Sequence, residues 1–190
     1  MKDGATADRI LDAAQRLIQS RGFNGFSYAD IAAELGIRKA SLHYHFKTKD
    51  ELGRALLARY LERFRGALHA VDQASSDPRE RLRRYAGLYL GVLRDEERMC
   101  LCGMLAADVQ TLARPVREGV RRFFEMNETW LAKVLEAGRK SGVLSFKGSA
   151  SAEAVVILSA LEGAMLVARS IGGPARFEET AKRLLSGIGA

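Results

Sequence analysis

A cluster of basic, hydroxyl-bearing and aromatic side chains lies between residues 38 and 49, and these side-chain types suit hydrogen bonding to a polar partner. Its members, uninterrupted by any Asp or Glu, are Arg38, Lys39, Ser41, His43, Tyr44, His45, Lys47, Thr48 and Lys49. Such groups contact phosphate oxygens and base edges, and a helix that carries them fits the major groove of DNA. The cluster therefore predicts a surface that reads nucleic acid.

Two short helices joined by a tight turn are predicted to position this cluster. Ser27 and Asp30 have the spacing of a capping box, and Gly36 suits the left-handed backbone that ends a helix. Thr48 is expected to cap the next helix. The apolar residues beneath are Ile31, Ala32, Leu35, Ile37 and Leu42. An ordinary helical hairpin would need only the caps and the glycine, whereas the basic second helix favours a DNA-binding helix-turn-helix.

This block resembles the DNA-binding domain of TetR-family transcriptional regulators. In that family a glycine–phenylalanine pair is followed by S-x-x-x-I-A-x-x-x-G-V/I and then by S-L-Y-x-H-F-x-x-K-x-x-L. The residues that match are Gly22, Phe23, Ser27, Ile31, Ala32, Gly36, Ile37, Ser41, Leu42, His45, Phe46, Lys49 and Leu52. The chain departs from the pattern at Ala40, where glycine is frequent, at His43–Tyr44, and at Arg38, where serine is a common cap.

The resemblance implies an all-α protein of about nine helices. It implies an N-terminal three-helix DNA-binding domain at 1–50, followed by a ligand-binding and dimerisation domain at 51–190. Lys39, Ser41 and His43 are expected at base edges, because they lie at the front of the second helix. The remaining expected DNA contacts, mainly to phosphates, are Ser27, Tyr28, Arg38, Ala40, Tyr44, His45, Thr48 and Lys49. The expected partner is a pseudo-palindromic double-stranded operator read by a homodimer.

Helical patterns continue through the rest of the chain. A first helix is predicted at about 6–20, and a long one begins after Thr48 and is expected to leave the reading domain as a lever. Further helices are predicted at about 78–93, 99–112, 115–140, 152–170 and 175–187. No segment carries the signals of a strand.

The segment from Ala154 to Ala168 is apolar on nearly every side of a helix, apart from Glu162 and Ser159. A helix of this kind is buried on every side. It could be the central helix of a monomer. The resemblance instead implies that the last two helices pair about a two-fold axis to form a homodimer.

An effector pocket is implied among the C-terminal helices, for a small molecule that the sequence does not identify. The candidate lining residues are Tyr85, Tyr89, Met104, Phe123, Asn127, Trp130, Glu162 and Met165. Asn127 interrupts an apolar stripe, so it either meets a ligand or finds a partner within the core. Glu162 could meet a cationic ligand, and a dimer contact or a capping contact remain alternatives.

Cys100 and Cys102 are candidates for sensing oxidants or electrophiles, with Arg98 close enough in sequence to favour a thiolate. Both could equally be small buried apolar residues. Because residues two apart on a helix point about 200° apart, a disulfide between them is not expected.

Other classes of function find less support in the sequence. The net charge of +7 is compatible with nucleic-acid binding. No signal peptide, catalytic constellation, metal-ligand cluster or cofactor motif is recognised, so a cytoplasmic regulator that is not an enzyme and has no membrane partner is expected. Two alternatives stay open: a TetR-like DNA-binding protein controlled by a protein partner or by cysteine oxidation, and a helical carrier or enzyme with a vestigial reading head.

Overall fold

The computed structural model describes residues 2–96 and 98–190, and this part of the chain forms nine α-helices without a β-strand. The helices are α1 (Lys2–Arg21), α2 (Tyr28–Leu35), α3 (Lys39–His45), α4 (Lys49–Ala74), α5 (Pro78–Arg94), α6 (Leu101–Ala107), α7 (Arg114–Lys140), α8 (Ala150–Ser170) and α9 (Gly173–Ser186). The all-α prediction is therefore confirmed.

The predicted helix at 99–112 is shorter than expected. The α-helix α6 ends at Ala107, and a 3₁₀ turn follows at Val109–Thr111. The backbone tightens there because the amide of Thr111 donates to the carbonyl of Asp108 at 2.9 Å. This turn leaves the side chain of Asp108 available to residues far away in the sequence.

The chain divides into two compact units, and each contains more than one stretch of sequence. The first unit consists of 1–62 and 101–122, and the second consists of 63–100 and 123–190. Both α4 and α7 contribute residues to each unit. The predicted division into a DNA-binding domain at 1–50 and an effector domain at 51–190 stays a prediction. The two compact units are each made of two separate stretches of the chain and do not coincide with it.

The core of the first unit lies under the two short helices. Ile10 and Ile18 of α1, Ile31 of α2 and Leu42 of α3 are fully buried. The start of α7 packs closely on α4, since a Cβ atom added at Gly119 would lie 2.9 Å from Leu57. These contacts fix α3 with its Leu42 side inward.

The core of the second unit is formed by α5, α8 and α9 together with the later parts of α4 and α7, and one face of α8 is buried. The buried positions of α8 recur every three or four residues: Ala154, Ile157, Leu158, Leu161, Ala164, Met165 and Ala168. Large apolar side chains on other faces of α8, and just after it, remain exposed: Val155, Val156, Leu166, Val167 and Ile171. The helix is thus apolar on sides that its own unit does not cover.

One helix in the described part of the chain, α8, is long and apolar enough to meet the requirements for crossing a membrane. It has 21 residues. A core helix of a soluble protein passes the same test, and a single such helix is weak support for a membrane span. Packing of α8 against α5 and α9 accounts for its buried face.

Candidate functional site

The capping box at the start of α2 is confirmed. The Ser27 hydroxyl accepts a hydrogen bond from the Ala29 amide at 3.2 Å, and the Asp30 carboxylate accepts one from the Ser27 amide at 2.7 Å. The Ser27 hydroxyl also donates to this carboxylate, and these bonds hold the pKa of Asp30 below its usual value. Because the polar groups of Ser27 serve the cap, they are poorly placed to hold a phosphate as well.

The turn between α2 and α3 depends on Gly36, whose φ of 64° lies in the left-handed region. Its amide donates to the carbonyls at the end of α2, which closes that helix. The next helix begins without a side-chain cap, since Arg38 occupies the cap position and makes no such hydrogen bond. The serine-to-arginine departure from the family pattern therefore leaves an exposed cation where a capping hydroxyl would lie.

The outer face of α3 presents four of the predicted reading residues to solvent: Lys39, Ala40, His43 and Tyr44. Tyr44 is the most exposed large apolar side chain identified, at 74%. Ser41 and His45 are half-buried at the sides of the helix, and Leu42 anchors the opposite face. The structure therefore brings Lys39, Ala40, His43 and Tyr44 together on one exposed face, and their contacts with DNA stay a prediction.

His43 has a defined orientation on this face. Its Nδ1 atom lies 3.3 Å from the carbonyl oxygen of Lys47. A carbonyl only accepts, so Nδ1 carries the proton and, in the neutral ring, Nε2 is an acceptor. The ring also packs against Tyr28, with 4.9 Å between the ring centroids.

Tyr28 faces inward more than the sequence suggested. Its hydroxyl donates to the carbonyl of Phe46 at 2.9 Å, which links the start of α2 to the end of α3. Burial, with smaller contributions from Glu51 and Asp50, raises the pKa of Tyr28 to about 12. With its proton already donated, this hydroxyl cannot also donate to a phosphate.

Lys49 is likewise directed into the first unit. Its ammonium donates to the carbonyl of Phe26 and lies 4.8 Å and 4.1 Å from the ring centroids of Phe23 and Phe26. Desolvation lowers the pKa of Lys49 below its usual value. This geometry favours a structural role for Lys49 over the phosphate contact that the sequence suggested.

The cap of α4 is confirmed at Thr48, with one difference in detail. The amide of Glu51 donates to the Thr48 hydroxyl at 3.1 Å. The carboxylate of Glu51 accepts from the amide of Lys47 at 2.8 Å, one residue earlier than a capping box requires. The bond therefore also fixes the linker between α3 and α4.

Asp108 is a structural residue of the first unit, and the sequence did not reveal its role. Its carboxylate accepts hydrogen bonds from the amides of Phe23 and Asn24 at 2.7 Å and 3.3 Å. The Asn24 side chain donates to Thr111 at 2.8 Å in the same region. Gly22 is required beside it, because its φ is 81° and an added Cβ atom would lie 3.1 Å from the Asp108 carboxylate. Only the glycine–phenylalanine pair could have signalled this contact.

The second unit contains a buried polar network centred on Asn127, which is 0% exposed. The Asn127 side chain donates to the carbonyl of Phe123 at 2.8 Å and accepts from the hydroxyl of Tyr85 at 2.8 Å. The hydroxyls of Tyr85 and Tyr89 are 3.0 Å apart. Since Tyr85 donates its single proton to Asn127, Tyr89 must be the donor in that pair. Asn127 is thus a satisfied core asparagine, which was the alternative to ligand contact.

The other predicted effector residues lie in different places. Trp130 stacks on Tyr85 with ring centroids 5.3 Å apart and donates to Asp72 at 3.0 Å. Met165 is buried in α8. Met104 belongs to the first unit, whereas the remaining candidates belong to the second.

Glu162 lies in the middle of α8, which excludes a capping role. Neither of its carboxylate oxygens is accessible to solvent or has a hydrogen-bond partner in the described part of the chain. Burial raises the pKa of Glu162 to about 7, and the nearby Cys100 thiol opposes that rise. The carboxylate therefore belongs to the interior of the second unit.

Cys100 and Cys102 are both buried, and neither forms a disulfide. Cys100 lies in the second unit and Cys102 in the first. Among residues 2–96 and 98–190 no group of three or more His, Cys, Asp and Glu residues is arranged to hold a metal ion.

The exposed helix α3 follows a left-handed turn and lies between α2 and α4, each of which begins with a side-chain cap, and this arrangement defines a helix-turn-helix DNA-binding protein. The family model for bacterial regulatory proteins of the tetR family matches residues 10–56. A crystal structure of a TetR-family transcriptional regulator from Agrobacterium tumefaciens is 37% identical, with a TM-score of 0.95, over 99% of this chain and 100% of that chain. The chain belongs to the TetR family of transcriptional regulators.

Two further relatives also match over most of their length. The HTH-type transcriptional regulator LmrA from Bacillus subtilis is 28% identical over 171 residues, which cover 88% of each chain. A structure of a putative transcriptional regulator from Saccharomonospora viridis in complex with choline is 27% identical, with a TM-score of 0.81, and covers 95% of this chain and 94% of that chain. Both relatives are transcriptional regulators, and both matches extend over most of this chain.

Proposed function

We propose that this regulator is a homodimeric repressor that a small-molecule effector releases from a pseudo-palindromic operator. In this proposal residues 1–50 read the operator, and residues 51–190 bind the effector and form the dimer. The observation that carries the proposal is the outer face of α3, where Lys39, His43 and Tyr44 are exposed while Leu42 anchors the helix.

His43 is the residue for which a base preference can be derived. With Nδ1 held by the carbonyl of Lys47, the neutral ring offers Nε2 as a hydrogen-bond acceptor. In the major groove the donors are the amino groups of adenine and cytosine. His43 should therefore favour sites in which the amino group of an adenine or a cytosine faces the helix. Lys39 and Ser41 are proposed to complete the base contacts.

Phosphate contacts are proposed for exposed cations at either end of α3. Arg38 and Lys47 are both exposed and lie immediately before and after the helix. Tyr44, His45 and Thr48 remain proposed contacts on the same surface. Each neutralised phosphate should add about one unit to the slope of affinity against salt concentration.

The dimer interface is proposed on the exposed face of α8 together with α9. Exposed apolar residues such as Val156, Leu166 and Val167 form a surface that a monomer would leave in water. Gly163 lies on the same helix with open space around its Cβ position, which permits the close approach of a partner helix. A two-fold pair of reading heads would match a pseudo-palindromic site.

Effector binding is proposed for the aromatic interior of the second unit. The choline-bound relative from Saccharomonospora viridis supports the binding of a small molecule by this fold. Tyr85, Tyr89, Phe123 and Trp130 provide the aromatic surface in this chain, and Phe123 and Trp130 lie on α7, which also contributes to the first unit.

Control by cysteine oxidation is the second candidate input. Cys100 and Cys102 are buried, which restricts access by oxidants. The structure therefore favours a bound effector over thiol chemistry. A protein partner remains the third possibility, for which the groove between α5 and α9 lined by Ala86, Leu90 and Phe177 offers a surface.

Selection of duplexes from a randomised pool, followed by fluorescence anisotropy at several salt concentrations, tests the DNA-binding part of the proposal. A two-fold symmetric site should emerge, and His43→Ala should relax preference at one base pair per half-site. Arg38→Ala should instead weaken binding to all sequences and reduce the salt slope by about one unit. Failure of any duplex to be enriched would contradict an operator-binding function.

Light scattering after size-exclusion chromatography tests the dimer. Leu166→Arg places a charge on the exposed apolar face of α8 and should yield monomers that bind the operator weakly. Ala137→Arg is the matched control, since it adds the same charge at an exposed position of α7. A dimer that survives Leu166→Arg would move the interface elsewhere.

A further inference from the structure

The second unit contains a buried carboxylate without a counter-charge. Both oxygens of Glu162 are shielded from solvent and lack a hydrogen-bond partner among the described residues. No Lys or Arg is among the groups that influence it, and the Cys100 thiol is only a weak donor. An ionised carboxylate in such surroundings is costly unless a cation joins it.

The neighbouring tyrosines cannot supply the missing donors. Tyr85 gives its proton to Asn127, and Tyr89 gives its proton to Tyr85. Asn127 in turn donates to the backbone carbonyl of Phe123. These commitments leave Tyr89 with spare acceptor capacity on its oxygen and no proton to offer. Glu162 and Tyr89 interact electrostatically within the same unit, and the donor named beside Glu162 is the weak Cys100 thiol.

Aromatic rings surround this polar network. Tyr85 stacks on Trp130, and Phe64 lies edge-on to Phe123 at 4.9 Å and to Tyr89 at 6.3 Å. Ring faces attract cations, and the attraction strengthens where water is excluded. An anionic ligand would meet a like charge here, and a neutral one would leave the carboxylate unpaired.

We infer that the effector is an organic cation, most simply a protonated amine, whose charged nitrogen pairs with Glu162. This inference rests on the effector-responsive function proposed above and names the chemical class of the effector. An N–H group of the cation would donate to Glu162, and a second could donate to the Tyr89 oxygen. The aromatic rings of Tyr85 and Trp130 would contact its hydrocarbon part.

Fluorescence provides a direct test, because Trp130 is the single tryptophan of the chain and stacks on Tyr85. The probes are cyclohexylammonium, its neutral match cyclohexanol, its anionic match cyclohexanecarboxylate, and tetraethylammonium, which has no N–H. Titrations should use phosphate buffer, since the common buffer Tris is itself an organic ammonium. The expected result is a saturable change with cyclohexylammonium, at an affinity about tenfold or more above that for cyclohexanol.

Two variants assign the preference to particular atoms. Glu162→Gln should remove the advantage of the ammonium over the alcohol, so that the two probes bind with similar affinity. Tyr89→Phe keeps the ring and removes the acceptor oxygen, so it should weaken cyclohexylammonium and spare tetraethylammonium. Glu179→Gln, at an exposed position of α9, is the charge-matched control. Circular dichroism verifies folding, and Tyr89→Phe still tests the site if Glu162→Gln fails to fold.

The inference is overturned if neither ammonium ion binds, or if cyclohexylammonium binds wild type and Glu162→Gln equally. Operator affinity measured in parallel separates this failure from that of the proposed function. A protein that binds its operator but ignores both ammonium ions refutes only the class of effector. A protein that binds the ammonium ion but no duplex supports the cation site and contradicts the proposed function.

Discussion

Replacing Glu162 with glutamine should stabilise the ligand-free protein at neutral and alkaline pH. The substitution keeps the shape of the side chain and removes a charge that has no partner in the described structure. Burial raises the pKa of Glu162 from the ordinary value of 4.5 to about 7. At about 1.4 kcal/mol per pH unit, a difference of 7 − 4.5 corresponds to roughly 3 kcal/mol.

The sign of the effect follows from where the proton is bound. Below about pH 4.5 the carboxyl is protonated in both the folded and the unfolded chain, so it contributes no pH dependence. Between pH 4.5 and about 7 the folded protein keeps a proton that the unfolded chain has lost, and the free energy of unfolding therefore falls as pH rises. Above about pH 7 both states are ionised, and the destabilisation remains constant. Tyr85, Tyr89 and the Cys100 thiol are the titratable groups that interact with this carboxyl, and burial keeps both tyrosines neutral by raising the pKa of each.

Thermal unfolding followed by circular dichroism between pH 5 and 8.5 measures this prediction. For a protein of this size, about 3 kcal/mol corresponds to a rise in melting temperature of roughly 6–12 °C. The protomer concentration must stay fixed, because dimerisation also shifts the melting temperature. The exposed Glu179→Gln variant should show no comparable pH-dependent gain. A Glu162→Gln variant less stable than wild type at pH 8, or a difference independent of pH, would refute the reasoning, because the carboxylate would then have a stabilising partner.

Three further outcomes are expected in the first unit. Lys49→Met should lower the free energy of unfolding by about 1–3 kcal/mol through loss of a backbone hydrogen bond and cation–π contacts, measured by urea denaturation. Lys49→Met should leave the dependence of operator affinity on salt concentration unchanged, whereas Lys47→Ala should reduce the slope of that dependence by about one unit. The reverse pattern would show that Lys49 contacts a phosphate. Gly36→Ala should cost about 1–2 kcal/mol because of its positive φ, while Gly66→Ala, at an open position within α4, should stabilise by up to about 1 kcal/mol. Asp108→Asn should weaken two hydrogen bonds from backbone amides and speed their hydrogen exchange, and unchanged exchange rates would refute its role as a structural link.

The helix-turn-helix formed by α2 and α3 could be predicted because the residues that determine it are close together in the sequence. Ser27 and Asp30 are three residues apart, and Gly36 needs only its own backbone conformation to end α2. Such rules depend on short-range sterics and hydrogen bonds, which a sequence displays directly. The same rules identified the start of α4 at Thr48, although Glu51 bonds one residue earlier than the capping box requires.

The roles of individual polar groups depended on partners that sequence spacing does not reveal. Asp108 bonds to an amide 85 residues earlier, and Lys49 to a carbonyl 23 residues earlier. The residue types were correctly identified as polar or basic, but a lysine on an exposed-looking stretch can direct its ammonium inward when aromatic rings and a carbonyl lie beneath it. The direction in which a side chain points depends on its tertiary environment. Only the three-dimensional structure therefore distinguishes a lysine that points inward, such as Lys49, from one that is exposed.

Asn127 and Glu162 show the same limit in the second unit with opposite outcomes. Both interrupt apolar helical stripes, so the sequence marked each as a residue in need of a partner. Asn127 finds its partners in Tyr85, 42 residues away, and in the carbonyl of Phe123. Glu162 finds no equivalent in the described chain, and the tyrosine protons that could have reached it are already donated. The sequence pattern was the same, and only the partners that the fold brings near distinguish a satisfied asparagine from a carboxylate without a counter-charge.

Helix α7 matters for regulation because it contributes residues to both units. Its early residue Gly119 packs on Leu57 within the first unit, while Asn127, two turns later, holds the polar network of the second. A ligand shifts an equilibrium only by its difference in affinity between two states. A cation that donates hydrogen bonds to Glu162 and Tyr89 would therefore act on α7 only if it favours one arrangement of the Tyr85–Asn127 hydrogen bonds over another. Asn127→Leu removes the acceptor of the Tyr85 proton while keeping side-chain volume similar. It should therefore change the effect of cyclohexylammonium on operator affinity, measured by fluorescence anisotropy, and an unchanged effect would exclude this route.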